Sequence, residues 1–406
     1  MENDGKKLKE NNIREWETLP ANVLDIILEN LISLFDYIRF GVVCKPWLFV
    51  AEHHKQIRIN NYCFSKHLPL LLVPAEDGRE QWRSLYNAAT RKVYDFKLHV
   101  PINKRCCGSS HGWLFFVEKD RSITLFNPFT QAFIHLPTFD RQFKELHAKY
   151  KLNMKIRPFD VFKLILSVDP TLHPNDFTVV IINSSKLQIE YFKFKDQRWE
   201  KIVYGHGAYC VDIICYKKLI YAVNFLRKSF TYSTEVVCFS GDSPQFKVVL
   251  PADKFQTVRK GLESFELQNY LVESSQGSLM IIQRFKKNDD EIECTFQTTN
   301  FKVFKLVQLV DDELEVVEVK SLDGDAMFLG DNHSTSILAS EYSGCEPNYI
   351  YFTEHHSDIS YSDYYECGFR GIGTFSVSDG SFGSHHVPNI AHKYLLQPIW
   401  IHPKLM

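Results

Sequence analysis

The chain has 406 residues, 45% hydrophobic and 24% charged, which excludes a disordered or fibrous polymer. That length holds two or three domains, or one small module beside a single large one. A formal net charge of -2 excludes a global basic excess of the kind that draws proteins to nucleic-acid phosphates.

Residues 1–15 read as a flexible, polar N-terminus with no apolar core of the kind a signal peptide needs. No apolar run approaches the ~20 residues that span a bilayer. A soluble protein inside the cell, in the nucleus and/or the cytoplasm, is therefore expected.

Residues 16–60 carry helical periodicity. Leu24, Ile27, Leu28 and Leu31 fall at i, i+3, i+4 and i+7, on one helix face. Pro20 stands where a first-turn proline is tolerated, because its missing N–H has no partner there. Ser33 and Asp36 read as a capping box that opens a second short helix through Tyr37, Ile38 and Phe40. Gly41 loosens the chain before a third segment with Val42, Val43, Cys44, Trp47 and Leu48, in which Pro46 must lie in the first turn. So short a segment cannot surround all of this in its own core. Two readings follow: a helical cap packed on the large domain, or a module that keeps part of its apolar face for a partner.

The stretch Leu19-Pro20, Val23-Leu24, Ile27-Leu28, Leu31, Phe40, Val42, Val43-Cys44-Lys45 and Trp47 resembles an F-box. The resemblance implies docking on a Skp-type linker protein, and through it on the cullin and RING subunits of a ubiquitin ligase. Carried over residue by residue, it has Leu19, Pro20, Leu24, Ile27, Leu28 and Leu31 face the linker. Val42, Cys44 and Trp47 complete that surface or support it. Gly41 and Pro46 depart from the polar or basic residues commoner there.

From about residue 68 the period switches to two. Short apolar runs recur at Leu70–Val73, Trp113–Val117, Lys163–Val168, Phe177–Ile182, Leu219–Val223, Leu279–Ile282 and Tyr349–Phe352. Asn127-Pro128, Gly241-Asp242, Asp289-Asp290 and Asp379-Gly380 punctuate them as turns. No amphipathic helix is evident after residue 160, so a sandwich, barrel or propeller is expected.

Internal spacing chooses among these. Ser109-Ser110-His111-Gly112-Trp113-Leu114 echoes Ser274-Ser275-Gln276-Gly277-Ser278-Leu279, an offset of 165 residues (109 to 274). Tyr191-Phe192-Lys193-Phe194 echoes Val303-Phe304-Lys305-Leu306, an offset of 112 residues (191 to 303). Three repeats for the first and two for the second both give a unit of about 55 residues, hence about six kelch-like blades over residues 68–401. The strand-like segment Tyr394–Ile401 is expected to join the sheet built from Leu70–Leu98 and lock the ring; the alternative is a docked tail.

Gly108-Ser109-Ser110-His111-Gly112-Trp113-Leu114, Leu125-Phe126-Asn127-Pro128-Phe129-Thr130 and Leu136-Pro137 resemble the opening blade of a plant F-box-associated domain. Phe304-Lys305-Leu306, Phe328-Leu329-Gly330, Gly344-Cys345-Glu346-Pro347-Asn348, Ile350-Tyr351-Phe352 and Pro398-Ile399-Trp400 are similar to later landmarks of the KIB-type propeller family. The resemblance implies a substrate receptor, without naming the substrate.

Few constellations suggest chemistry. The histidine pairs His53-His54, His355-His356 and His385-His386 lack ligand spacing, since neighbours on a strand point to opposite faces. Ser110-His111 diverge for the same reason, and no GxSxG elbow exists. Gly371-Ile372-Gly373 reads as a turn, because phosphate binding needs a third glycine and a helix start. The 10 cysteines are scattered and read as free thiols, and the sequons at Asn183 and Asn332 are expected to be silent. The basic stretch Arg141–Arg157 and the acidic runs Asp289-Asp290-Glu291 and Asp311-Asp312-Glu313 read as solvated insertions and hairpin tips. The loop Glu354–Glu366, with Tyr361, Tyr364 and Tyr365, is the candidate capture surface, since loop aromatics give contact area at low entropy cost.

The sequence thus describes an all-β protein with a small all-α N-terminal module: a three-helix F-box at 16–60 and a closed β-propeller at 68–401. The function expected is a non-enzymatic substrate-recognition adaptor of an SCF-type E3 ubiquitin ligase, without cofactor or metal. It would bind a Skp-type linker and an unidentified protein substrate, and neither nucleic acid nor membrane. The rivals are a propeller enzyme with a hydrolytic site at the central channel, and a free-standing binding module with a helical cap.

Overall fold

The computed structural model describes residues 16–31, 34–41, 43–61, 68–74, 82–99, 104–118, 120–139, 161–183, 188–202, 209–228, 231–240, 245–258, 265–288, 296–309, 313–342, 344–353, 372–385 and 398–403. The chain divides into two compact units, the first of residues 1–66 with 404–406 and the second of residues 67–403. Among the described residues no helix is long and apolar enough to cross a membrane.

The first unit contains α1 (Ala21–Asn30), α2 (Leu34–Gly41) and α3 (Lys45–Asn61). Pro20 caps α1 with φ -59°, and its carbonyl accepts from the N–H groups of Val23 and Leu24 at 3.0 and 3.2 Å. Asp36 lies in the first turn of α2, as a capping box would place it, while Ser33 lies outside the described residues. Pro46 falls in the first turn of α3, where it removes no needed donor. One core closes the three helices: Leu24 and Leu28 from α1, Tyr37 and Phe40 from α2, and Trp47, Val50 and Ala51 from α3.

The second unit is a six-bladed β-propeller. Blade I starts with β1 (Leu70–Pro74), β2 (Trp82–Asn87) and β3 (Lys92–His99). Blade II contains β4 (Lys104–Ser110), β5 (Trp113–Glu118), β6 (Ile123–Asn127) and β7 (Ala132–Leu136). Blade III contains β8 (Val161–Leu166), β9 (Thr178–Asn183), β10 (Gln188–Lys193) and β11 (Arg198–Ile202). Blade IV has five strands: β12 (Tyr209–Tyr216), β13 (Leu219–Lys228), β14 (Thr231–Ser240), β15 (Phe246–Leu250) and β16 (Gln256–Val258). Blade V contains β17 (Phe265–Glu273), β18 (Leu279–Asn288), β19 (Phe296–Gln308) and β20 (Leu314–Val319). Blade VI contains β21 (Asp325–Leu329), β22 (Thr335–Leu338), β23 (Tyr349–Phe352), β24 (Ile372–Ser376) and β25 (Phe382–His385).

The closing strand β26 (Ile399–Ile401) returns to blade I and pairs with β1, in the register Leu70↔Ile401, Leu71↔Trp400 and Leu72↔Ile399. The segment is a strand of the ring, not a docked tail. Trp400 fixes it to both neighbouring blades. Its ring lies 5.0 Å from Phe328 and its indole N–H donates to the Leu329 carbonyl of blade VI at 3.2 Å, while its own carbonyl accepts from the Ser109 hydroxyl of blade II.

Apolar clusters fill the seams between blades. On β9, Val179 and Ile181 face blade II while Val180 and Ile182 face blade IV. A blade packed on both faces therefore reads as a continuous apolar run, although side chains alternate along each strand. Both sequence echoes fall at equivalent places: one on the first hairpins of blades II and V, the other on the third strands of blades III and V. Blade VI breaks the pattern. Its strand order is β22-β21-β23-β24-β25, with β21 and β23 parallel. Ile372 and Gly373 belong to β24, which corrects the reading of Gly371-Ile372-Gly373 as a turn, with Gly371 outside the described residues. Phe352 packs directly over Gly373, where any side chain would collide with its ring.

Candidate functional site

The helical unit presents two apolar surfaces, and only one faces outward. Leu24 and Leu28 are 1% and 0% exposed, enclosed by Tyr37, Phe40, Trp47, Val50 and Ala51. This corrects the expectation that Leu24 and Leu28 face a linker: the 3.6-residue stripe points into the unit's own core. Leu19, Ile27, Leu31 and Cys44 pack partly buried against that core, and Pro20 is exposed. Trp47 is buried 4.5 Å from Phe40, with its indole N–H donating to the Trp16 carbonyl at 2.8 Å, so it supports the surface from beneath. Val42 lies outside the described residues.

The outward apolar side chains are others: Trp16 at 64%, Ile26 at 58%, Val43 at 53%, Leu48 at 44% and Phe49 at 70% exposed. Phe49 stacks on His53 one turn away, with ring centroids 6.4 Å apart. The sequence held the signal for part of this set. Trp47, Val50 and Ala51 follow the i, i+3, i+4 rule of a buried face, which turns Leu48 and Phe49 outward.

At the propeller axis the first strands of blades II, III and IV carry bulges. Register shifts fall between Cys106 and Gly108, between Val161 and Lys163, and between Cys210 and Asp212. Lys163 and Asp212 form an ion pair buried between blades III and IV, and the Asp212 carboxylate also accepts from the Leu271 N–H of blade V at 2.6 Å. A charge pair so buried persists only when its remaining hydrogen bonds are met, and here they join three blades. The segment 330–334 reaches from blade VI to blade II. The His333 N–H donates to the Ser109 carbonyl at 2.9 Å, and the Asp331 carbonyl sits where a side chain on Gly108 (φ 153°) would lie.

Ser110 ends β4, and His111 lies beyond the strand, forming with Gly112 a two-residue turn with φ 52° and 79°. The structure instead brings Ser110 to His333, its hydroxyl 3.2 Å from Nδ1, while the same hydroxyl accepts from the Leu166 N–H at 3.3 Å. These contacts join blades II, III and VI. Burial pushes the thiols of Cys106 and Cys107 up to about 12, far from the thiolate form that attacks or binds metal. The seven described cysteines form no disulfide with one another. Asn183 and Asn332 are buried.

Several candidates from sequence lie outside the described residues: Tyr361, Tyr364 and Tyr365, the basic stretch 141–157, residues 289–291, Asp311, Asp312, and His355, His356 and His386. Glu313 is described and bonds Lys254 at 2.6 Å across blades IV and V.

That bond flanks an open cleft of about 710 Å³ between these two blades, which the sequence did not reveal. Lys254, Phe255, Gln256 and Thr257 form one wall; Gln283, Phe285, Asn300, Lys302, Phe304, Val316 and Glu318 form the other. Phe255 and Phe304 meet edge to face at 4.8 Å. A chain of side-chain hydrogen bonds, each 3.2 Å, runs from Thr257 to Gln283, Asn269 and Thr234 and holds the polar walls in place.

Comparison with known proteins fits the ring. The model of the KIB1-4 beta-propeller matches residues 85–376, more than half of the chain. The chain belongs to the KIB1-4 β-propeller family. Its curated relatives share the longer architecture. It is 25% identical to F-box protein SKIP23 of Arabidopsis thaliana, over 95% of both chains. It is also 25% identical to F-box protein At4g35733 of the same plant, over 90% of this chain and 92% of that one. A third Arabidopsis relative, F-box protein At2g17036, is 24% identical over 95% of both. The architecture is that of an F-box protein with a KIB-type propeller, mostly β with helices near its N-terminus.

Proposed function

We propose that this F-box protein is the substrate-recognition adaptor of an SCF-type ubiquitin ligase, acting inside the cell in the nucleus and/or the cytoplasm. The helical unit docks on a Skp-type linker, which joins it to cullin and RING subunits, and the propeller holds a protein client. Ubiquitin transfer then belongs to the partner enzymes, and this chain contributes positioning, which makes an encounter effectively intramolecular. One observation carries the reading: the helical unit completes its own core and still leaves Trp16, Ile26, Val43, Leu48 and Phe49 in water. Large apolar side chains gathered on so small a unit suit a partner's groove.

The test uses the full chain and a purified Skp-type linker in a pull-down. Ile26→Asp with Phe49→Asp is expected to lower retention by about tenfold or more, since truncating interface anchors costs ~2 kcal/mol or more. Both residues are exposed, so the thermal melt should stay unchanged. Equal retention of wild type and variant would overturn the docking surface.

A further inference from the structure

We infer that one ordered water molecule binds between Asn332 and Thr353 and pins residues 330–334 across the channel of the ring. The site is independent of the ligase reading and concerns how the propeller is closed at its centre.

The path of the segment comes first. Blade I stands between blades VI and II, so a segment that leaves β21 and touches β4 passes the innermost strand of blade I at the channel. Asp331, Asn332 and Ser334 are buried on this path. The His333 N–H and the Asp331 carbonyl hold it to blade II.

Unmet polar atoms mark the site. The Asn332 amide is oriented by its Nδ2, which donates to the His333 carbonyl at 2.7 Å. Its Oδ1 then stands buried without a partner, and so does the Thr353 hydroxyl. Each residue is 1% exposed. The backbone of Thr353 is satisfied. Its N–H donates to the Leu329 carbonyl at 3.0 Å, and its carbonyl accepts from the Arg284 guanidinium of blade V at 2.8 Å. An acceptor and a hydroxyl left unmet in the interior are costly, so native proteins pair such groups directly or through water.

Distance selects water. A Cβ on Gly330 would collide with Thr353 Oγ1 and lie 2.9 Å from Asn332 Oδ1. Two oxygens gathered around one such point are less than two hydrogen-bond lengths apart. Neither bonds the other, nor any other of the described residues. Groups that close yet unbonded are what a bridging water joins. The hydroxyl donates to the water, and the water donates to Oδ1. Charge disfavours a cation, because Asn332 and Thr353 bring none and the Arg284 guanidinium adjoins Thr353. Space disfavours anything larger, because Trp400 Cδ1 lies 3.6 Å from the same point.

The experiment uses the full chain. Thr353→Val keeps the shape and removes the hydroxyl, and Thr353→Ser returns it. Oxygen-17 relaxation dispersion counts long-lived buried waters, and urea denaturation gives unfolding constants. Thr353→Val is expected to lose one long-lived water and to raise the unfolding constant about fivefold or more, because a buried acceptor left unmet costs on that order. Thr353→Ser should keep the water and stay near wild type. In an Asn332→Leu background, Thr353→Val should raise the constant by a smaller factor, because the shared partner is already gone. An unchanged count of long-lived waters in Thr353→Val overturns the site whatever happens to stability. Equal effects of Thr353→Val in the two backgrounds overturn the bridge as well. So does a high-resolution crystal structure of the wild type without a water between the two oxygens, which decides the matter if the valine variant does not fold.

Discussion

The two units bury apolar side chains by opposite strategies. In the propeller each blade lies between two others, so β9 covers Val179 and Ile181 on one side and Val180 and Ile182 on the other. A ring consumes its sheet faces. The helical unit has no ring to enter; it folds Leu24, Leu28 and Trp47 inward and leaves Ile26, Leu48 and Phe49 outside. A module built to be covered by something else must keep such a face, whereas a closed ring must build its binding features from edges and seams.

The comparison is broken most severely at the ring's closure. Trp400→Ala removes a buried indole packed between blades I and VI, and is expected to cost about 4 kcal/mol of propeller stability. Urea denaturation read by tryptophan fluorescence checks it, with linker retention as the contrast that should hold. Next comes Leu28→Ala, which empties the helical core and is expected to cost about 3 kcal/mol there. Linker retention should fall although Leu28 touches no solvent, and the propeller's own unfolding transition should not move.

The smallest effect concerns Glu200 on β11. Hydrogen bonds from the Tyr191 hydroxyl and the Arg198 guanidinium hold its carboxyl below the usual glutamate range. Its folded state thus releases the proton more readily than the unfolded one. The stabilisation is fully present above the ordinary glutamate value of about 4.3 and is lost as pH falls through the lowered value. Glu200→Gln should remove that part of the acid dependence, measured as melting temperature against pH, and the effect should be small because the network lies near the surface.

Much of the fold was legible because repetition leaves a period. Ser109–Leu114 and Ser274–Leu279 occupy the same hairpin three blades apart, and the closing strand lies where an apolar run had to find an edge. A further repeat went unread: the Asn127 side chain accepts from the N–H groups of Phe129 and Thr130, and Asn87 does the same for Ala89 and Thr90 one blade earlier. The turn at Lys217-Lys218 has both residues at positive φ, 47° and 66°, without the glycine or asparagine that marks such turns. The strand order of blade VI follows from tertiary pairing, which no local pattern encodes.

The candidate sites were less legible, for two physical reasons. Periodicity identifies a helix face but not which way it points, so Leu24 and Leu28 were assigned to a partner when their own chain claims them. The cleft draws Thr257, Gln283, Lys302 and Glu318 from separate strands, each an ordinary polar residue that becomes a wall only when two blades meet.

The pairing of β1 with β26 also shapes how this protein is made. At ribosomal rates of roughly 5–20 residues per second, β1 leaves the tunnel tens of seconds before its partner exists. Until then Leu71 and Leu72 belong to an unfinished sheet whose inner edge is free to recruit strands from other nascent chains. A message truncated before codon 399 yields a ring with an open door.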